Sequence, residues 1–154
     1  MESALRELAE SFPDERISRI AREGEEVVGW VSGQEAYIGH TWELHPLVVK
    51  RERHRQGIGR ALVADLEERV RDRGGHTVYL GTDDERGETS LAGIELYPDP
   101  LHHAARITNP GGHPYEFYQR VGYTIVGVLP DANGFGRPDI FMAKRIALLA
   151  EQQT

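Results

Sequence analysis

The clearest periodic signal in the chain is a stripe of Ile58, Leu62, Leu66 and Val70, one apolar residue every four positions. That spacing predicts an amphipathic helix from Gly59 to Arg73, with Ala61 beside the stripe and Gly74-Gly75 as its stop. Asp65–Arg69 and Glu67–Arg71 are spaced to pair on its wet side. A weaker stripe (Leu5, Leu8, Ala9, Phe12) predicts a helix from Ser3 to Ser11, capped by Ser3 and ended by Pro13. Elsewhere the pattern is that of strands. Ile17 and Ile20 mark a weak one over Arg16 to Arg22, Gly24-Glu25-Glu26 makes a turn, and Val27 to Val31 completes a hairpin. A further strand runs from Thr41 to Val49 with Pro46 inside it, and Thr77 to Gly81 is short, apolar and buried.

Asp83 to Gly112 is polar, with a short helix near Leu101 to Arg106. His113 to Gly122 predicts a second short helix, Pro114 at its first position and Gly122 at its stop. Tyr123 to Leu129 and Asp139 to Lys144 are the closing strands, joined by a loop of turn residues, Asp131 to Pro138. The order is hairpin, strand, helix, strand, helix, two strands. It predicts one α/β domain over residues 1–154, built on a mixed central sheet with flanking helices.

Composition narrows the class. With 154 residues, 39% hydrophobic and 28% charged, the chain is long and apolar enough for a real core. No apolar run approaches a membrane span, and the N-terminus lacks the basic start and apolar centre of a signal peptide. A net charge of −7 argues against a nucleic-acid partner and suits a cationic small molecule. The absence of cysteine removes disulfides, thiolate metal sites and a cysteine nucleophile, and fits a cytoplasmic protein.

Candidate chemistry concentrates in Trp42 to Arg60. Proline inside a strand removes a backbone donor, so the ladder must open or bulge at Pro46. Gln56-Gly57-Ile58-Gly59 lets the backbone turn tightly into a helix start, whose free N–H groups suit a phosphate. The loop is neither a nucleotide P-loop nor a dinucleotide Gly-x-Gly-x-x-Gly turn. Its arginines and His54 favour an anion, and an ordinary strand-to-helix connection is the alternative. His102-His103 could suggest a metal, but the side chains diverge and a third ligand is not evident, so no metal is expected.

His54-Arg55-Gln56-Gly57-Ile58-Gly59 resembles the acetyl-CoA signature of the GCN5-related N-acetyltransferases (GNAT), Gln/Arg-x-x-Gly-x-Gly/Ala, with His54 departing at the first position. Within that superfamily, Trp42-Glu-Leu-His-Pro-Leu-Val-Val49, Tyr79-Leu-Gly-Thr-Asp-Asp84, His113-Pro-Tyr-Glu-Phe-Tyr118, Gly122-Tyr123, Ile125 to Pro130, Ala132-Asn-Gly134 and Pro138-Asp-Ile140 resemble aminoglycoside 6′-N-acetyltransferases of the small chromosomal type. The resemblance covers Val27 to Ile146. It implies a GNAT fold with a splayed strand pair, here lacking the usual first strand and helix, and a homodimer.

It also implies site roles. Acetyl-CoA would be the co-substrate, held by Leu47, Val48 and Val49 along the broken strand. The amides of Gln56, Gly57, Ile58, Gly59 and Arg60 would take its pyrophosphate, and Arg55 and Asn109 would be further cofactor contacts. Glu43 would be the base, His45 a relay or site wall, and Tyr118 the acid or an anchor for the sulfur. Glu43, Asp83, Asp84 and Tyr115 would face a cationic aminoglycoside. The alternatives are a GNAT enzyme for another amine, such as a polyamine or a protein N-terminus, and a non-catalytic acyl-CoA-binding module.

Overall fold

The computed structural model describes residues 15–148, so the helix expected at Ser3 to Ser11 lies outside the described residues. The strands are β1 (Arg16–Glu23), β2 (Glu26–Ala36), β3 (Thr41–Val49), β4 (Thr77–Asp83), β5 (Thr124–Leu129) and β6 (Asp139–Arg145). The helices are α1 (Ile58–Asp72), α2 (Pro100–Ala105) and α3 (Tyr115–Arg120). The strands form one six-stranded mixed sheet in the order β1-β2-β3-β4-β6-β5. The chain divides into two compact units, Met1–Val78 with Arg145–Thr154, and Tyr79–Lys144.

In the first unit, β1, β2 and β3 pair antiparallel. β2 runs to Ala36, five residues beyond the expected Val31. Gly29 and Gly33 let α1 lie close against this strand. A Cβ on Gly29 would stand 2.9 Å from Leu62 Cδ1, and one on Gly33 2.9 Å from Leu66 Cδ1. Leu62, Leu66 and Val70 are buried there as their spacing predicts. Each contributes about 1.5–3 kcal/mol of hydrophobic burial.

The second row of that face is Val63 and Glu67, which are buried, while Ala61 is exposed. The expected pairing of Asp65 with Arg69 is replaced by other partners. Asp65 binds Arg19 on β1, and Arg69 pairs with Glu68 and Asp72. Trp42, 2% exposed, packs beneath the Arg73 guanidinium, 5.4 Å from its ring centre.

In the second unit, β5 and β6 pair antiparallel, and Leu80, Ile140 and Met142 are buried strand residues. α2 starts at Pro100, where Asp99 caps it by accepting from the His102 amide at 3.1 Å.

Candidate functional site

The first unit carries the strand-to-helix junction. Leu47 pairs with Val31 and Leu44 with Gly33, so His45 and Pro46 stand together opposite Ser32. The interruption at Pro46 is therefore a β-bulge against β2. Ahead of it, Trp42 and Leu44 point into the core. Glu43 lies on the other face, directly opposite Gln34, and its carboxylate makes no hydrogen bond or ion pair among the described residues. His45 is exposed on that same side.

Beyond the bulge, the Lys50 amide donates to the Val28 carbonyl at 2.8 Å. Backbone groups alternate in direction along a strand, so Val48 and Lys50 face β2 while Leu47 and Val49 turn theirs away from it. The Val49 carbonyl, on that far side, is met by His54 Nε2 at 2.9 Å. This gives His54 a role at the position where it departs from the family signature: it folds the loop back onto the strand.

The loop then prepares a helix start with no internal anion. Arg55 (φ 62°) and Gly57 (φ 81°) are both left-handed, and Gly57 is the N-cap with no side chain accepting from the first turn. The first helical bond is Ala61 N–H to the Gly57 carbonyl at 3.0 Å, which leaves the amides of Ile58, Gly59 and Arg60 without helical partners. No acidic residue lies in the first turn. Arg53 is bound to Glu23 at 2.8 Å, but Arg55 and Arg60 are exposed and make no ion pair among the described residues. Free amides, the positive end of a 15-residue helix and two free guanidinium groups suit a pyrophosphate.

The second unit treats its candidate residues differently. Asp84 is 0% exposed. Its Oδ1 accepts from the Glu88 amide at 2.8 Å, and its Oδ2 accepts from the Thr89 amide at 2.9 Å and the Thr89 hydroxyl at 2.6 Å. Burial pushes its carboxyl up, but these hydrogen bonds, with a smaller electrostatic contribution from His113, outweigh it and hold the group below its ordinary 3.8. The expectation that Asp84 faces a substrate is corrected: it is the organising centre of the loop that follows β4. Asp83 remains exposed, its carboxylate accepting from Asn133 Nδ2.

Asn109 is corrected in the same way. Its Oδ1 accepts from the His113 amide at 2.6 Å and its Nδ2 donates to the His113 carbonyl at 2.9 Å. The side-chain amide brackets one residue of its own chain, with both its oxygen and its nitrogen engaged there. Tyr115, expected at the site wall, is 4% exposed and belongs to the core.

His113 was not among the expected site residues. It is 2% exposed, its Nδ1 accepts from the Tyr115 amide at 3.1 Å, and its Nε2 donates to the Asp83 carbonyl at 2.9 Å. Asp84, Glu88 and His113 place candidate ligand atoms within 4.8 Å of one another. With Nδ1 accepting and Nε2 donating, however, the imidazole has no lone pair for a cation. The sequence signal for His113 was its place immediately before the Pro114 helix start.

Tyr118 is half-buried on α3, edge-on to Phe117 (5.1 Å) and Tyr123 (5.9 Å). Burial pushes its phenol from 10.0 up to about 12, so it is fully protonated at neutral pH. Its hydroxyl makes no hydrogen bond among the described residues.

Residues 2–97 match the model of the acetyltransferase (GNAT) family. The structure of an aminoglycoside 6′-N-acetyltransferase complexed with coenzyme A is 46% identical, with a TM-score of 0.90, over 96% of this chain and 82% of that one. The aminoglycoside 6′-N-acetyltransferase from Enterococcus faecium is also 46% identical, with a TM-score of 0.88 and the same coverage. An aminoglycoside 6′-acetyltransferase of type Ii is 41% identical, with a TM-score of 0.71, over 96% of this chain and 79% of that one. No curated protein sequence matches the chain. The bulged strand, the uncapped helix start and these likenesses converge, and the chain belongs to the GNAT acetyltransferase family.

Proposed function

We propose that this chain transfers an acetyl group from acetyl-CoA to the 6′-amine of aminoglycosides by direct attack. The observation that carries the reading is 46% identity over 96% of the chain to an aminoglycoside 6′-N-acetyltransferase that holds coenzyme A. Acetyl-CoA supplies the activated thioester carbonyl that the amine attacks. The amides of Gln56, Gly57, Ile58, Gly59 and Arg60, with the Arg55 and Arg60 side chains, take its pyrophosphate. Leu47 and Val49, whose backbone groups turn away from β2, hold its pantetheine arm, whereas those of Val48 face β2, and a strand amide near Leu47 polarises the carbonyl.

An amine is protonated at neutral pH and must lose a proton before it attacks. Glu43, whose carboxylate has no partner of its own among the described residues, takes that proton directly or through water, and His45 relays it or lines the site. Tyr118 donates a hydrogen bond to the departing sulfur. A phenol pushed to about 12 holds its proton more tightly than a thiol does, so its role is to stabilise the thiolate. Asp83 supplies negative charge toward a polycationic acceptor.

The reading includes a homodimer, the assembly that the family resemblance implies, acting in the cytoplasm, with no nucleic-acid or membrane partner. No described helix is long and apolar enough to cross a membrane.

Thiol release from acetyl-CoA with a panel of amines tests it. Turnover with aminoglycosides that bear a 6′-amine, and none with those that lack it, is the expected result. Faster turnover with a polyamine or a peptide N-terminus, or cofactor binding without any turnover, overturns it.

A further inference from the structure

Tyr118 sits on a helix of six residues. A helix that short has little stability of its own, so the direction of the Tyr118 ring depends on what holds the ends of α3. At the N-terminal end His113 holds the Tyr115 amide at 3.1 Å. At the other end the chain closes in a Schellman turn. The Gly122 amide donates to the Gln119 carbonyl at 3.0 Å and the Tyr123 amide to the Tyr118 carbonyl at 2.9 Å, with Gly122 at φ 101°.

That turn leaves the Val121 carbonyl, and Lys144 Nζ, arriving from β6, donates to it at 2.9 Å. The lysine stem crosses directly over the turn: a Cβ on Gly122 would stand 3.0 Å from Lys144 Cε. The same Nζ lies 5.8 Å from the centre of the Tyr123 ring, and that ring packs edge-on against Tyr118 at 5.9 Å. One cation thus touches both the backbone that ends the helix and the ring beside Tyr118. A positive charge is favoured in each place, by the helix dipole and by the face of the aromatic ring.

We propose that Lys144 is a positioning residue for Tyr118, holding the end of α3 and the Tyr123 ring so that the Tyr118 hydroxyl keeps one orientation. The inference rests on the reading of Tyr118 as the donor to the departing sulfur.

Lys144→Met keeps the stem and removes the cation, and Lys144→Arg restores it. In thiol-release assays with acetyl-CoA and a 6′-amino aminoglycoside, K144M should lower kcat roughly tenfold, as a misplaced group does. The KM for acetyl-CoA should stay within about twofold, and K144R should recover most of the loss. In a Tyr118→Phe background, K144M should cost nothing further. With ring-labelled tyrosine, the NMR signal assigned to Tyr118 through Y118F should move in K144M and return in K144R.

An unmoved Tyr118 signal in folded K144M overturns the proposal, as does a K144M loss that persists undiminished in the Y118F background. A Y118F enzyme with wild-type turnover would sink the donor reading; a moved ring signal would still uphold the positioning, and an unmoved one would remove both. If K144M fails to fold, Lys144→Gln, which keeps a donor without the charge, takes its place in the same measurements.

Discussion

The junction of β3 and α1 and the loops around α3 are built on opposite principles. In the first, side chains and amides of the right chemistry are left without internal partners. Glu43 is unpaired among the described residues, Arg55 and Arg60 are exposed, and the first amides of α1 have no cap. In the second, residues of equally suggestive chemistry are consumed by the chain itself. Asp84 receives three hydrogen bonds, Asn109 makes two to one residue, and His113 uses both ring nitrogens. Residue type alone does not distinguish a ligand-binding group from a structural one. What distinguishes them is whether hydrogen-bonding capacity is left over.

The contrast can be broken first at its two poles. Glu43→Gln should reduce kcat by roughly 10²–10³-fold while leaving both the acetyl-CoA KM and the melting temperature unchanged. Asp84→Asn should do the reverse, because the new side-chain NH2 group confronts donors that need an acceptor. Urea denaturation should show a loss of about 2–3 kcal/mol of stability, with kcat of the folded fraction largely retained. A stable D84N protein that has lost aminoglycoside turnover would return Asp84 to the acceptor side of the reaction.

A smaller effect follows from pH. The Asp84 carboxyl is held below its ordinary 3.8, so in acid the unfolded chain takes up the proton first. Its stabilisation is complete above that value and is lost as pH falls through the folded-state pKa. D84N should lack this part of the acid limb. At the alkaline end the Tyr118 phenol is raised from 10.0 to about 12, so the unfolded chain loses its proton first and stability falls as pH rises across that interval. A spectrophotometric tyrosine titration should show one phenol, absent in Y118F, ionising near the top of that range. Ionisation of Tyr118 near 10 would break this account of it.

The smallest effect is expected at Asn109. Asn109→Ala should cost about 1 kcal/mol through loss of the bracket on His113, with the acetyl-CoA KM unchanged. A tenfold rise in that KM would return Asn109 to the cofactor contacts.

Most of the architecture was legible from local pattern. The four-residue stripe of α1, the β1–β2 hairpin and the positions of Pro46, Pro114 and Gly122 each act through one or two turns of chain, so sequence spacing reports them directly. The glycines at 57 and 59 marked the helix start for the same reason. Hydrogen-bond capacity was not legible, because it depends on partners far away in the chain. Asp65 answers to Arg19 instead of Arg69, and the Val121 carbonyl to Lys144. Sequence alone therefore determined where the strands and helices run and which loop suits an anion. Tertiary structure decided which carboxylates, amides and imidazoles remain free to act, because only folding brings their competing donors and acceptors within reach.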